Sequence, residues 1–146
     1  MDKYDSLKLE NQLCFPLYAC SKEIVRHYRP YLDEIDLTYT QYIVMMVLWE
    51  ENKINVKMLG KRLFLDSGTL TPLLKSLETK GYITRSRSKQ DERNLDVCIT
   101  KKGIELKDKA INVPKSMSSC IKLSPEEAEI LYKTLYKILS TLNDEQ

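Results

Sequence analysis

"LDSGTLTPLLKSLETKGYITRSRSKQDERNLDVCIT", residues 65–100, changes its hydrophobic period midway, and that change decides the fold. In the first half Leu70, Leu74 and Leu77 recur every three or four positions, the spacing of one helix face. Asp66 stands where an N-cap belongs, and Gly81 where a helix stops. In the second half "YITRSR" and "LDVCIT" alternate as strands do, around the polar loop "SKQDERN". The stretch therefore reads as a helix followed by a β-hairpin.

The helix leaves Ser67, Thr69, Thr71, Lys75 and Ser76 facing outward. Short hydroxyl side chains allow a close approach to a DNA major groove and can bond to bases or phosphates. Pro72 offers an apolar surface for a thymine methyl, and it is expected to disturb the helix geometry. Lys75 is a candidate phosphate contact. Arg85 and Arg87, on the first strand of the hairpin, are placed to contact phosphate or to hold the hairpin in position. Upstream, "VKMLGKRLFL" predicts a short helix. Two short helices and a basic hairpin make a winged helix-turn-helix.

Charge points the same way. The chain of 146 residues has a net charge of only +2, but residues 53–102 hold 12 Lys/Arg against 5 Asp/Glu. A basic middle between acidic ends suits a local anionic partner, with nucleic acid the first candidate. A solvated charged face would give the same count.

Outside this unit the pattern is helical. "QYIVMMVLWEE" is apolar almost all round, which predicts a largely buried helix after an N-cap at Thr40. Leu13, Leu17, Cys20 and Ile24 mark a long first helix, beginning near Cys14 with Pro16 in its first turn and ending near "YRPYLD". Thr100 opens "KKGIELKDKAINV", which Pro114 interrupts. A last helix starts at "SPEE": Ser124 as N-cap, Pro125 at the first position, Glu127 closing a capping box. Leu131, Leu135, Ile138 and Leu142 line its apolar face. One winged helix has little use for amphipathic helices at both chain ends, so a homodimer is expected. The fold class is mainly α with a small β-wing. One domain is expected over 1–146, with dimerisation helices at about 1–38 and 104–146 around a DNA-binding region at about 40–103.

The longest apolar run, Tyr42 to Trp49, is too short to span a bilayer, and the N-terminus has no signal-peptide stretch. These features predict a cytoplasmic protein with no membrane partner. The four cysteines form no C-x-x-C pair and His27 is the single histidine, which argues against a zinc site, a thioredoxin-type redox motif and a histidine-based active site; no metal and no cofactor is expected. Cys20 falls on the apolar stripe of the first helix and is expected in the core, whereas Cys98 sits on the more polar hairpin face.

"LENQLCFPLYACSKEIVRHYRP", "LTYTQYIVMMVLWE", "LDSGTLTPLLKSLETKGYITRSRS" and "DERN" resemble the MarR family of winged-helix regulators, and within it the organic-hydroperoxide-sensing (OhrR-type) branch. The resemblance covers nearly the whole chain and weakens after Gly103. It implies a dimeric repressor that leaves a pseudo-palindromic operator when peroxide oxidises a cysteine at the start of the first helix. That cysteine is Cys14 here, and the family's tyrosine partners of the sulfur match Tyr18, Tyr28 and Tyr39. The resemblance makes Asp91-Glu92-Arg93 the wing motif, with Arg93 entering the minor groove and Asp91 ion-paired, with Arg87 one candidate. It also suggests Cys120 as a resolving cysteine.

Physical chemistry supports such a site. A cysteine reacts with peroxide as the thiolate, and a helix N-terminus favours negative charge. Tyr18 lies one turn from Cys14, on the same face. Tyr28 lies ~21 Å along the helix axis, out of reach within one chain, so an antiparallel partner helix crossing near Ser21 would have to supply it. Two other functions fit less of the sequence. One is a MarR-type regulator released by a small phenolic ligand, with Cys14 structural. The other is a thiol enzyme that consumes hydroperoxides, which the lack of a cation near Cys14 in sequence disfavours.

Overall fold

The chain begins with two 3-10 turns (Asp5–Leu7, Leu9–Asn11), then α1 (Cys14–Asp33), α2 (Tyr39–Glu51), β1 (Lys53–Asn55), α3 (Val56–Leu63) and α4 (Ser67–Thr79). It continues through β2 (Ile83–Arg87), β3 (Leu95–Ile99), α5 (Lys101–Ala110), α6 (Val113–Ser118) and α7 (Pro125–Asp144). This is a computed structural model, and it describes residues 2–89 and 94–144. The central element is α2: Tyr42, Val44, Met45, Val47 and Leu48 are all buried. Around it close Leu59 of α3, Leu70, Leu73, Leu74 and Leu77 of α4, Ile83 and Val97 of the sheet, and Leu106 and Ala110 of α5.

The predicted hairpin pairs Ile83 with Ile99 and Arg87 with Leu95, antiparallel. A third strand, β1, pairs Ile54 with Val97 and makes the sheet order β1-β3-β2. Three residues are too few to show a period, so no sequence pattern announced it. It matters because it anchors the hairpin to the entrance of α3.

Several local expectations change. The N-cap of α2 is Thr38, not Thr40. Thr38 is extended, its Oγ1 accepts the Gln41 N–H at 3.3 Å, and the Gln41 Oε1 accepts the Thr38 N–H at 3.0 Å. That reciprocal capping box needs Gln at the third helical position, which only Thr38 provides. The first helix ends at Asp33 as expected, but Pro30 lies inside it and is not the cause. It stops because Asp36 takes a left-handed φ of 54° and the Leu37 N–H donates to the Leu32 carbonyl at 3.1 Å. The buried Leu32 and Leu37 complete this closure. Cys20 is exposed rather than in the core, because α1 meets the core at its C-terminal end, through Tyr28, Tyr31 and Leu32. Ser76 is half-buried and bonded to Gln41, not turned to solvent.

The expected capping box at the last helix is present: the Ser124 N–H donates to Glu127 and the Glu127 N–H to Ser124, both at 3.1 Å. Along α7, Leu131, Leu135 and Leu142 are exposed together with Ile130, Tyr132 and Tyr136. Among the described residues no helix is long and apolar enough to cross a membrane.

Candidate functional site

α4 is built to present its N-terminal half. The Asp66 carboxylate accepts the Thr69 N–H at 2.7 Å, and this bond holds its pKa below the ordinary aspartate value. Ser67, Thr69, Thr71, Pro72 and Lys75 are all exposed, on the side opposite the buried leucines. Pro72 does not interrupt the helix, which runs unbroken from Ser67 to Thr79. Proline has no N–H to donate, so the Gly68 carbonyl, four residues back, loses its partner in the helical ladder while the helix itself continues. Thr71 donates its hydroxyl to the Ser67 carbonyl at 2.8 Å, leaving its oxygen lone pairs to accept.

The turn between α3 and α4 is tight. Phe64 takes a left-handed φ of 56°, and the Leu65 N–H donates to the Gly60 carbonyl at 3.0 Å. Beside it lies a cleft of about 750 Å³ lined by Lys57, Lys61, Phe64, Leu65, Ser67 and Leu70, among others. Lys57 and Lys61 are exposed cations one helical turn apart beside the start of α4. The motif reading passed over them, although the charge count of this segment included them. Arg62, next in line, is occupied instead by Glu50 and by Glu51 at 3.2 Å.

In the wing, Arg85 turns inward. Its N–H donates to Glu78 Oε2 at 2.9 Å and its guanidinium to Glu78 Oε1 at 3.2 Å, tying β2 to α4. The guanidinium holds the Glu78 carboxyl below the usual range. Of the two roles expected for Arg85, the geometry favours holding the wing. Arg87 is exposed at the end of β2. Asp91 and Arg93, expected at the wing tip, lie outside the described residues.

Cys14 is the first residue of a 20-residue helix and is exposed. The residue before it, Leu13, has no side-chain oxygen for the first-turn N–H groups, and Pro16 removes one N–H from that turn. The amides of this helix start thus have no capping side chain. Tyr18 is exposed one turn along, with the Lys22 ammonium 5.5 Å above its ring, a nearby cation that the sequence reading missed. Tyr28 and Tyr39 sit elsewhere. Their rings are 4.9 Å apart, and Tyr42 joins them at 5.9 Å from Tyr28. Burial pushes all three phenols above the ordinary tyrosine pKa, so they stay protonated and able to donate. A single chain therefore holds the expected site in two halves: Cys14 with Tyr18 at the start of α1, and Tyr28 with Tyr39 toward its far end. Cys120 is exposed just past α6, which packs on α1, and its sulfur lies 3.7 Å from the Ser116 carbonyl.

Known proteins resemble this chain in sequence and in fold. A family model described as transcriptional regulator SarA/Rot matches residues 26–110. The organic hydroperoxide resistance transcriptional regulator of Bacillus subtilis is 46% identical over 142 residues, 97% of each chain. The regulator SarZ of Staphylococcus saprophyticus is 50% identical over 132 residues, 90% of each chain. AbfR of Staphylococcus epidermidis, overoxidized and bound to DNA, superposes with a TM-score of 0.77 at 35% identity, covering 97% of this chain and 99% of that one. Its disulfide form gives 0.64 at 36% identity, covering 94% and 96%.

Proposed function

The chain belongs to the MarR family of winged-helix transcriptional regulators, in its organic-hydroperoxide-sensing branch, and on that premise we propose that it is a cytoplasmic homodimeric repressor released from its operator when Cys14 is oxidised. It is a regulator and not an enzyme. The observation that carries the sensing role is the position of Cys14: exposed, at the first residue of α1, beside amides without a capping side chain.

In the proposed reaction the Cys14 thiolate attacks the outer oxygen of the hydroperoxide. The O–O bond breaks, the sulfur becomes a sulfenic acid, and the departing alkoxide takes a proton and leaves as the alcohol. Tyr18 of the same chain, and Tyr28 and Tyr39 of the partner, would donate hydrogen bonds to the sulfur. Their placement in two halves of one chain supports a site completed by a second copy. Segments at about 1–38 and 104–146 would form that dimer, and the exposed apolar residues of α1 and α7 support this. A Cys120 thiol of the partner would condense with the sulfenic acid, releasing water and leaving a disulfide.

On DNA, Ser67, Thr69, Thr71 and Pro72 would meet the major groove, with Lys75, Lys57, Lys61 and Arg87 on phosphates and Arg93 in the minor groove. Arg85 and Asp91 would hold the wing.

The test is fluorescence anisotropy of the reduced protein on its own upstream DNA, titrated with stoichiometric organic hydroperoxide and then dithiothreitol. Wild type should release and rebind, and Cys14→Ser should stay bound. If both stay bound, Cys14 is not the trigger. The cleft beside Phe64 and Lys57 supports a second reading, release by a small aromatic anion, which would act under full reduction. For Cys120, wild type treated with peroxide should run as a dimer on a non-reducing gel and Cys120→Ser as a monomer. A monomeric wild-type band rules out the inter-subunit disulfide.

A further inference from the structure

Gln41 is a buried polar side chain, 5% exposed in an otherwise apolar core, and its amide is engaged on both ends. Its Oε1 accepts the Thr38 N–H at 3.0 Å and the Lys80 ammonium at 3.1 Å. Its Nε2 donates to the Ser76 hydroxyl at 3.0 Å. One carboxamide therefore fixes the first turn of α2 and grips the C-terminal half of α4.

What lies beside it gives the bond meaning. Tyr39, the first residue of α2, is two positions away, and its ring lies tilted against that of Tyr28. Tyr42 is the next residue, and its ring meets Trp49 edge-on at 6.4 Å. Apolar packing is non-directional and tolerates small slides, whereas an amide with a donor and two acceptor bonds passes on a change of direction.

The far end of α4 is anchored on its other sides. Glu78 holds Arg85 of the wing, the Lys102 ammonium donates to the Lys80 carbonyl at 2.7 Å, and the Thr100 hydroxyl donates to the Gly81 carbonyl at 2.6 Å. Ser76 is nine residues from Ser67, ~13 Å along the axis. A small turn at the anchored end is thus enlarged where Ser67 and Thr69 face outward.

We propose that Gln41 is a positioning residue that relays a change in the Tyr28/Tyr39 cluster to the DNA-reading helix through Ser76 and Lys80. This rests on the redox reading above. Oxidation at Cys14 of the partner shifts Tyr39, the first turn of α2 follows, and α4 re-aims.

The measurement is the ratio of operator Kd in the hydroperoxide-treated and reduced states, for wild type, Ser76→Ala, Gln41→Glu and Thr79→Ala. Emission of Trp49, the single tryptophan, is followed in the same samples as a report from the cluster side. Wild type should show a ratio on the order of 10–100. Ser76→Ala should lower it roughly fivefold, the loss of one hydrogen bond, while Trp49 still responds to peroxide. Glutamate can accept from Thr38, Lys80 and the Ser76 hydroxyl, so Gln41→Glu should keep the wild-type ratio. The Thr79 hydroxyl donates to the Lys75 carbonyl of its own helix, so Thr79→Ala should also keep it. A full wild-type ratio in Ser76→Ala, or loss of its Trp49 response, overturns the relay while leaving the redox reading intact. A wild-type protein that peroxide does not release takes down the redox reading and the relay with it.

Discussion

Replacing Gly60 by alanine sets two opposed effects against each other at the base of the DNA-reading helix. Gly60 lies inside α3, where alanine is the better helix former by about 1 kcal/mol. On propensity alone Gly60→Ala would stabilise the protein. A Cβ at this position, however, would stand 2.8 Å from the Leu65 carbonyl oxygen and 3.2 Å from the Leu70 Cδ1. Relieving that contact requires an opening of about 0.6 Å between the two chain segments. Backbone cannot rotate away as a flexible side chain would. The Leu65 N–H is bonded to the Gly60 carbonyl, and Phe64 is already left-handed, so the turn has little slack. Overpacking of this kind costs about 1–3 kcal/mol. Crowding outweighs propensity, and the net expected effect is destabilisation by about 1 kcal/mol, a fall of about 3 °C in Tm. Because the strain sits where α3 meets α4, operator affinity should also drop, by roughly fivefold for the loss of about one contact. Urea denaturation with anisotropy on operator DNA measures both. A variant more stable than wild type with unchanged affinity would refute the crowding account.

Three further outcomes follow from the geometry. Gly103→Ala should cost about 3 kcal/mol in urea denaturation, because its Cβ would fall 2.4 Å from the Tyr82 carbonyl oxygen and 2.7 Å from Ile99; a cost under about 1 kcal/mol would mean that α5 can shift freely. The lowered carboxyl pKa values of Asp66 and Glu78 add stability that is present above their unfolded values, near pH 4, and lost as pH falls through the folded ones. Asp66→Asn keeps a cap that does not titrate, so its Tm should fall less than that of wild type between pH 7 and pH 3; an equal fall removes Asp66 as a source. The raised phenol pKa values of Tyr28, Tyr39 and Tyr42 act in the opposite sense: their contribution is present below the ordinary tyrosine value and lost as pH rises through the folded ones. Ultraviolet titration of phenolate should show a late-ionising group that shrinks in Tyr28→Phe and in Tyr39→Phe, and titration of all nine tyrosines together near about pH 10 would contradict the burial argument.

The sequence alone determined what depends on short-range pattern. The leucine spacing in α4, the alternation in β2 and β3, the caps Asp66, Thr100 and Ser124, and the stop at Gly81 are local signals, and each one holds in the structure. Tyr18 one turn from Cys14, and Tyr28 beyond reach of it, followed from helix geometry alone. What only the tertiary structure decided depends on contacts between distant segments. β1 forms because β3 offers an open edge to three residues that carry no period of their own. Arg85 faces inward because Glu78 is there to meet it, and Cys20 is exposed because α1 reaches the core only farther along, at Tyr28, Tyr31 and Leu32. Gln41 looks in sequence like a polar interruption of an apolar helix. Its place between Thr38, Ser76 and Lys80 appears only when α2 and α4 are packed together, because a buried amide takes its meaning from the groups that satisfy it.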